Sequence, residues 1–289
     1  MSTPTDRDFR RHGRPRAARG RTLIWLVLIL VMVGAAALAL VGTSQNGGSA
    51  PVVEATSLPV QRLLIREGLR REDVAALLEA ETDISGARYL ALTAPGRRGR
   101  ALARAGGATS LEGFLFPATY DITKRTTAGE LVKQQLDAYT ANTAGIRYEY
   151  ARARNLTRFD VLIIASMIER EVVVAKERPL VAAVIYNRLK ARMMLGIDAT
   201  VQFAIGEWKT DLTVADLAID SPYNTRRFAG LPPGPIASPG SDSIRAAARP
   251  AKVPYTYYVA RNDGTGRHFF SSDPAQFEVD VQRSRANSG

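Results

Sequence analysis

Residues 22–42, TLIWLVLILVMVGAAALALVG, run for 21 positions without a charged side chain. A helix rises about 1.5 Å per residue, so such a run is long enough for the roughly 30 Å of a hydrocarbon core. A helix apolar on every face needs either lipid or a large protein interior. The flanks favour lipid, because Arg19 and Arg21 precede the run and TSQNGGS comes after it. The apolar region of a cleavable signal peptide spans about 7–15 residues, so an uncleaved single-pass transmembrane helix is expected.

The charge supports this reading and sets the orientation. The chain carries a formal +11. Nearly half of that excess lies in residues 1–21, where seven arginines face two aspartates. Such a basic tail stays in the cytoplasm, which places the C-terminal portion outside the plasma (inner) membrane. Nucleotide-driven chemistry and nucleic-acid binding then become poor expectations, and no phosphate-binding GxxxxGK[ST] loop occurs. There are no cysteines and only two histidines, His12 and His268. A disulfide framework, a cysteine nucleophile and a multi-histidine metal site are thereby excluded, and no metal or other cofactor is expected.

Residues 43–58 are rich in Gly, Ser and Asn and read as a flexible linker. A small unit occupies 59–110, with a strand at 59–65 and helices at about 70–81 and 84–93. About 50 residues build a poor core alone, so this unit is expected to pack on the larger unit C-terminal to it. That larger unit, 111–286, shows helical patterning near 127–142, 158–174, 179–192, 213–219, 242–249 and 274–284. Thr157 with Asp160 and Thr213 with Asp216 are capping boxes. Two aromatic-rich strands at 255–260 and 268–271 flank NDGTG, a hairpin signal. The fold class is therefore α+β. The irregular segment 221–241 is long enough to suggest a functional loop.

Within FDVLIIASMIEREVVV, the stretch Val161–Ile168 has no charge, and Glu169 stands at its end. On a helix Glu169 shares a face with Leu162, Ser166 and Val173. A carboxylate in apolar surroundings loses hydration, which raises its pKa and suits it to general-acid work. The alternative is that Glu169-Arg170-Glu171 is simply the polar end of a core helix. Glu171 lies about 200° around the helix from Glu169, so the two do not form a dyad on one face. Asp198, in GIDATVQF, is a second candidate carboxylate, or a helix cap. Asn187, Tyr223 and Asn224 are either structural polar groups or lining residues of a groove. His268 is read as a packed strand histidine.

Six ordered segments together resemble one known family. They are LEGFLFPATY at Leu111–Tyr120, ASMIERE at Ala165–Glu171, ERPLVAAVIYNRL at Glu177–Leu189, IDATVQF at Ile197–Phe203, the Pro-rich run Ser221–Gly240, and Tyr255–Phe270. This pattern is similar to the YceG-like family of endolytic murein transglycosylases. Residues 63–93 more weakly resemble that family's LysM-like unit in a shortened form. The resemblance implies a membrane-anchored lyase acting on peptidoglycan, the polymer of cell wall biogenesis and degradation. Its reaction is lytic transglycosylation at the MurNAc-GlcNAc bond of nascent glycan strands. The muramic 6-hydroxyl attacks the anomeric carbon, leaving a 1,6-anhydroMurNAc end and terminating the strand. Peptidoglycan synthases are the implied partners. The family's catalytic acid is matched to Glu169, and Asn187, Asp198, Thr200, Gln202, Tyr223 and Asn224 are matched to substrate binding. Arg226 stands where the family usually has Tyr, and Ala199 where it has Pro. Two other readings are a lysozyme-like hydrolase using Glu169 and Asp198, and a non-catalytic wall-binding scaffold.

Overall fold

A computed structural model describes residues 59–94 and 110–288 of the chain. The basic tail, the apolar run 22–42 and the linker lie outside the described residues. Among the described residues, no helix is long and apolar enough to cross a membrane.

The described chain folds in the order β1 (Gln61–Leu64), α1 (Arg71–Glu81), α2 (Gly86–Thr93), β2 (Thr119–Ile122), α3 (Ala128–Thr143), α4 (Glu149–Arg152), α5 (Arg158–Glu171), a 3₁₀ turn (Ala175–Glu177), α6 (Arg178–Lys190), α7 (Asp198–Ile205), α8 (Val214–Leu217), α9 (Ser241–Ala248), β3 (Tyr257–Ala260), β4 (His268–Ser271) and α10 (Pro274–Ala286). Both sheets are two-stranded and antiparallel, β1 with β2 and β3 with β4. The architecture is α+β.

The helix starts are set by the side chains that cap them. Thr157 Oγ1 accepts the Asp160 N–H at 3.1 Å while Asp160 accepts the Thr157 N–H at 2.7 Å. Thr213 and Asp216 repeat the exchange at α8, and Thr127 and Glu130 make it at α3. Each such box satisfies backbone donors that the first helical turn leaves unpaired.

Two apolar cores result. In the first, Phe159 and Val161–Ile168 of α5 are all buried and pack with α6, α7 and α9. Full burial of side chains such as Ile164, Met167 and Ile168 contributes about 1.5–3 kcal/mol each. Ser166, the polar residue of that stretch, donates to Ile163 O at 2.7 Å and accepts from the Ile236 N–H at 3.0 Å. It thereby pins the Pro-rich run 231–240 onto α5. Gly113 sits beneath that run at φ +82°, where a Cβ would lie 2.6 Å from Pro235. Only glycine fits there.

The second core joins β1, α1 and α2 to β2 and α3, with Leu63, Leu78, Tyr89 and Leu131 fully enclosed. It straddles the boundary at 110–111. Residues 59–94 do not close a core alone, because the partner strand and the opposing helix lie beyond that boundary. Polar ties continue the union. Gly68 N–H donates to Ser238 O at 2.9 Å, and Ser238 N–H to Leu69 O at 3.0 Å. The Trp208 ring lies between the guanidinium groups of Arg70 and Arg170, 4.7 and 3.8 Å from its centroid. Its indole N–H donates to Asp73 at 3.1 Å.

Candidate active site

The last turn of α5 sends its two carboxylates to different places. Glu169 lies three residues after Ser166, on the face covered by 231–240. Its Oε2 accepts the Gly240 N–H at 2.9 Å, and its Oε1 lies 3.4 Å from Arg178. The side chain is 6% exposed. The Glu67 carboxyl lies against Gly240, where a Cβ would fall on it. Glu169 thus belongs to a polar joint between α5, α6, the start of α9 and the segment before α1.

Glu171 emerges on the other side, into an open cleft of about 420 Å³. Arg188, Asp198, Arg226, Tyr258 and His268 line the same cleft. The Tyr258 hydroxyl donates to Glu171 Oε2 at 2.9 Å. Burial, the largest influence, pushes the Glu171 carboxyl above its ordinary range. Nearby Asp198 adds to the rise, while the Tyr258 hydroxyl and His268 oppose it. The Tyr258 hydroxyl is itself pushed well up, by burial and then by Glu171. A carboxyl raised above its ordinary range and facing a cleft is shifted toward the protonated form that a general acid uses.

The other residues expected from sequence divide sharply. Asp198 opens α7 in the cleft and pairs with Arg226. Both side chains are nearly half exposed, so that pair is open to solvent and to ligand. Arg226 is held up by this hydrogen bond. Asn187 does not reach the cleft; its amide donates to Val253 O at 2.9 Å and Tyr255 O at 2.8 Å, fixing the approach to β3. Thr200 is fully buried, bonded to Ile197 O at 2.6 Å and Thr225 Oγ1 at 2.9 Å. Gln202 accepts the Lys209 N–H at 3.2 Å. Asn224, also fully buried, donates to Leu217 O and Ile219 O. Tyr223 packs its ring on Phe203, with centroids 4.7 Å apart. These five build the walls and loops around Asp198; none of them lines the cleft.

Sequence reasoning passed over Tyr258, Arg188 and Glu177, and read His268 only as a packed strand histidine. Glu177 accepts the His268 backbone N–H and lies 2.7 Å from its Nδ1. One signal was available, since all four fall inside the ordered motifs. Among the described residues, no cluster of three or more acidic or imidazole groups suits a metal ion.

The comparisons with known proteins agree with this architecture. The family model described as the YceG-like family matches residues 45–283. A Bacillus subtilis (strain 168) protein named endolytic murein transglycosylase is 39% identical over 154 residues, covering 53% of this chain and 43% of that relative. A Streptococcus pneumoniae protein (strain R6) of the same name is 35% identical over 202 residues, covering 68% of this chain and 36% of that relative. The chain therefore spans about two-fifths of the length of the curated relatives it matches. The crystal structure of a YceG-like protein from Listeria monocytogenes superposes with a TM-score of 0.67 at 31% identity, covering 75% of each chain. With a family match across most of its length and a related solved fold, this chain belongs to the YceG-like family.

Proposed function

We propose that the chain is an endolytic lytic transglycosylase of peptidoglycan, with Glu171 rather than Glu169 as its acid. The observation that carries this is the Glu171 carboxyl, raised by burial yet open to a 420 Å³ cleft and bonded to Tyr258. The names of the relatives supply the substrate class. Glu169 instead bonds the Gly240 N–H and pairs with Arg178.

In this reading a glycan strand lies along the cleft with a MurNAc-GlcNAc bond beside Glu171. Glu171 gives its proton to the glycosidic oxygen, and the resulting carboxylate keeps the Tyr258 hydrogen bond. Asp198, held by Arg226, faces the positive charge that develops on the sugar ring. The muramic 6-hydroxyl then closes on the anomeric carbon, its O–H proton passing to the Glu171 carboxylate, and no water is consumed. The apolar run 22–42 anchors the enzyme in the plasma membrane with this domain outside, where new strands emerge. The unit at 59–110 serves as a shortened LysM-like element, and peptidoglycan synthases are the partners that supply strands.

Mass spectrometry of products from uncrosslinked glycan strands tests the proposal. Products with 1,6-anhydro ends, lost in Glu171→Gln and kept in Glu169→Gln, are expected. Loss in Glu169→Gln alone, in a folded protein, returns the acid role to Glu169. A second reading, hydrolysis, draws on Asp198 in the same cleft, the second carboxylate a hydrolase needs. Reducing ends that carry an added water would establish it.

A further inference from the structure

The cleft beside Glu171 holds more positive charge than its carboxylates balance. Arg188 and Arg226 line it against Glu171 and Asp198, and His268 is paired with Glu177. The acid step requires Glu171 in its protonated form, the form that burial favours. Asp198 is then the remaining carboxylate against two guanidinium groups. The two cations feel one another. Burial, the largest influence, lowers the Arg188 guanidinium, and the charge of Arg226 lowers it further.

The two arginines are held differently. Arg188 donates from Nε to Thr256 O at 2.6 Å and from Nη1 to Leu195 O at 2.5 Å, neutral acceptors that leave its charge uncancelled. Arg226 reaches Asp198 through Nε alone, at 2.5 Å. Its two terminal nitrogens have no hydrogen-bond partner among the described residues, and the side chain is 41% exposed. An exposed ion pair adds little to stability, so stability does not account for this one. The backbone below it is fixed. The Arg226 N–H donates to buried Asn224 Oδ1 at 3.1 Å, and Thr225 Oγ1 accepts the Ile197 N–H at 3.0 Å at the start of α7. A planar guanidinium on a fixed base, with two donors unspent, matches a carboxylate. Asp198 opposes a second anion there, and the charge of Arg188 offsets that opposition.

Muramic acid carries such a group. Its lactyl substituent hangs from C3, two carbons from the anomeric carbon. An acid on that substituent, or on a peptide attached to it, enters the cleft together with the scissile bond. We propose that Arg226 binds a carboxylate carried by the muramoyl substituent and so selects the strands that are cut beside Glu171. The proposal rests on the transglycosylase reading above. The carboxylate is either the lactyl group's own, on a strand without peptides, or one borne by the peptide stem.

The test measures kcat/KM for anhydro-product formation, and binding by calorimetry, on two pairs of uncrosslinked strands. One pair is free of peptides, with its lactyl carboxyls intact or capped as methylamides. The other pair carries stems, with their carboxyls intact or capped in the same way. Wild type, Arg226→Gln and Arg226→Lys are compared, with folding monitored by circular dichroism. The ratio of intact to capped strands is read for each protein, so a general loss of rate in a variant cancels. Wild type should prefer intact strands by about 10- to 100-fold in one pair or both. That preference should fall to near unity in Arg226→Gln and survive in part in Arg226→Lys. The pair that shows it names the source of the carboxylate. A wild-type ratio near unity in both pairs overturns the proposal, as does an Arg226→Gln ratio equal to that of wild type. Wild type that makes no anhydro ends overturns the transglycosylase reading instead, and the binding ratios still decide the role of Arg226.

Discussion

The backbone N–H of Gly240 points at the carboxyl of Glu169, 2.9 Å away, and binds the end of the Pro-rich run to the last turn of α5. Arg178 completes the joint at 3.4 Å. Glu169→Ala removes the carboxylate partner of Arg178, which keeps only its bond to Ser243, and leaves the Gly240 N–H unpaired, so it should cost about 3 kcal/mol of stability. Glu169→Gln keeps the Gly240 bond and should cost less. Urea denaturation of both variants checks this, and equal midpoints for Glu169→Ala and wild type would sink it.

Tyr258 governs the pH range of the acid. Its hydroxyl bonds the ionised form of Glu171 and so holds that carboxyl lower than burial alone would. In Tyr258→Phe the Glu171 carboxyl should rise further. An acid is active while protonated, so the high-pH fall in kcat/KM should move to higher pH. A pH–rate profile reads this, and movement to lower pH contradicts it.

Glu112 couples stability to pH by a different route. It is 4% exposed and accepts the Arg71 N–H at 3.1 Å, at the start of α1. Burial pushes its carboxyl from 4.5 to about 7. The folded protein therefore binds a proton that the unfolded chain has already released across this interval. Stability from this group is full below about pH 4.5 and declines as pH rises to about 7, by about 3 kcal/mol in all. Glu112→Gln should flatten that decline, measured as the difference in unfolding free energy between the two proteins at pH 5 and pH 8. A pH-independent difference refutes it.

Gly113 is the footing of the Pro-rich run. Alanine there would hold φ at +82° and press a Cβ to 2.6 Å from Pro235. Gly113→Ala should lose about 2 kcal/mol or more, and should also slow glycan cleavage by displacing residues 231–240. Thermal unfolding and product analysis give the two readouts, and an unchanged melting temperature would rule the clash out.

Much of this architecture is legible in the residues. The charge-free run Val161–Ile168 is buried as its composition demands, and the Thr157 and Thr213 boxes open helices where expected. The hairpin over NDGTG forms with Tyr257 opposite Ser271. Other elements are too short to announce themselves. The four residues of β2 carry one alternation, and their strand character comes from β1, far away in sequence. Helix α7, at Asp198–Ile205, has only two turns and no side-chain cap at its start. The site divides in the same manner. Asp198 lines the cleft, but periodicity cannot say which face of α5 the loop 231–240 will cover. That tertiary choice sends Glu169 into a joint and Glu171 into the open. Likewise Asn187 and Asn224 look like ligand-binding amides until their backbone carbonyl partners come into place.

The pairing of β1 with β2 has a mechanical side. Whatever the chain before residue 59 is tied to, its pull enters the described fold at Gln61. Four paired positions, Gln61 with Ile122 through Leu64 with Thr119, take that load first. The bonds of Gly68 and Leu69 to Ser238 pass it to the Pro-rich run, and Gly240 hands it to Glu169 at the end of α5. The path of bonds from β1 thus ends two residues from Glu171.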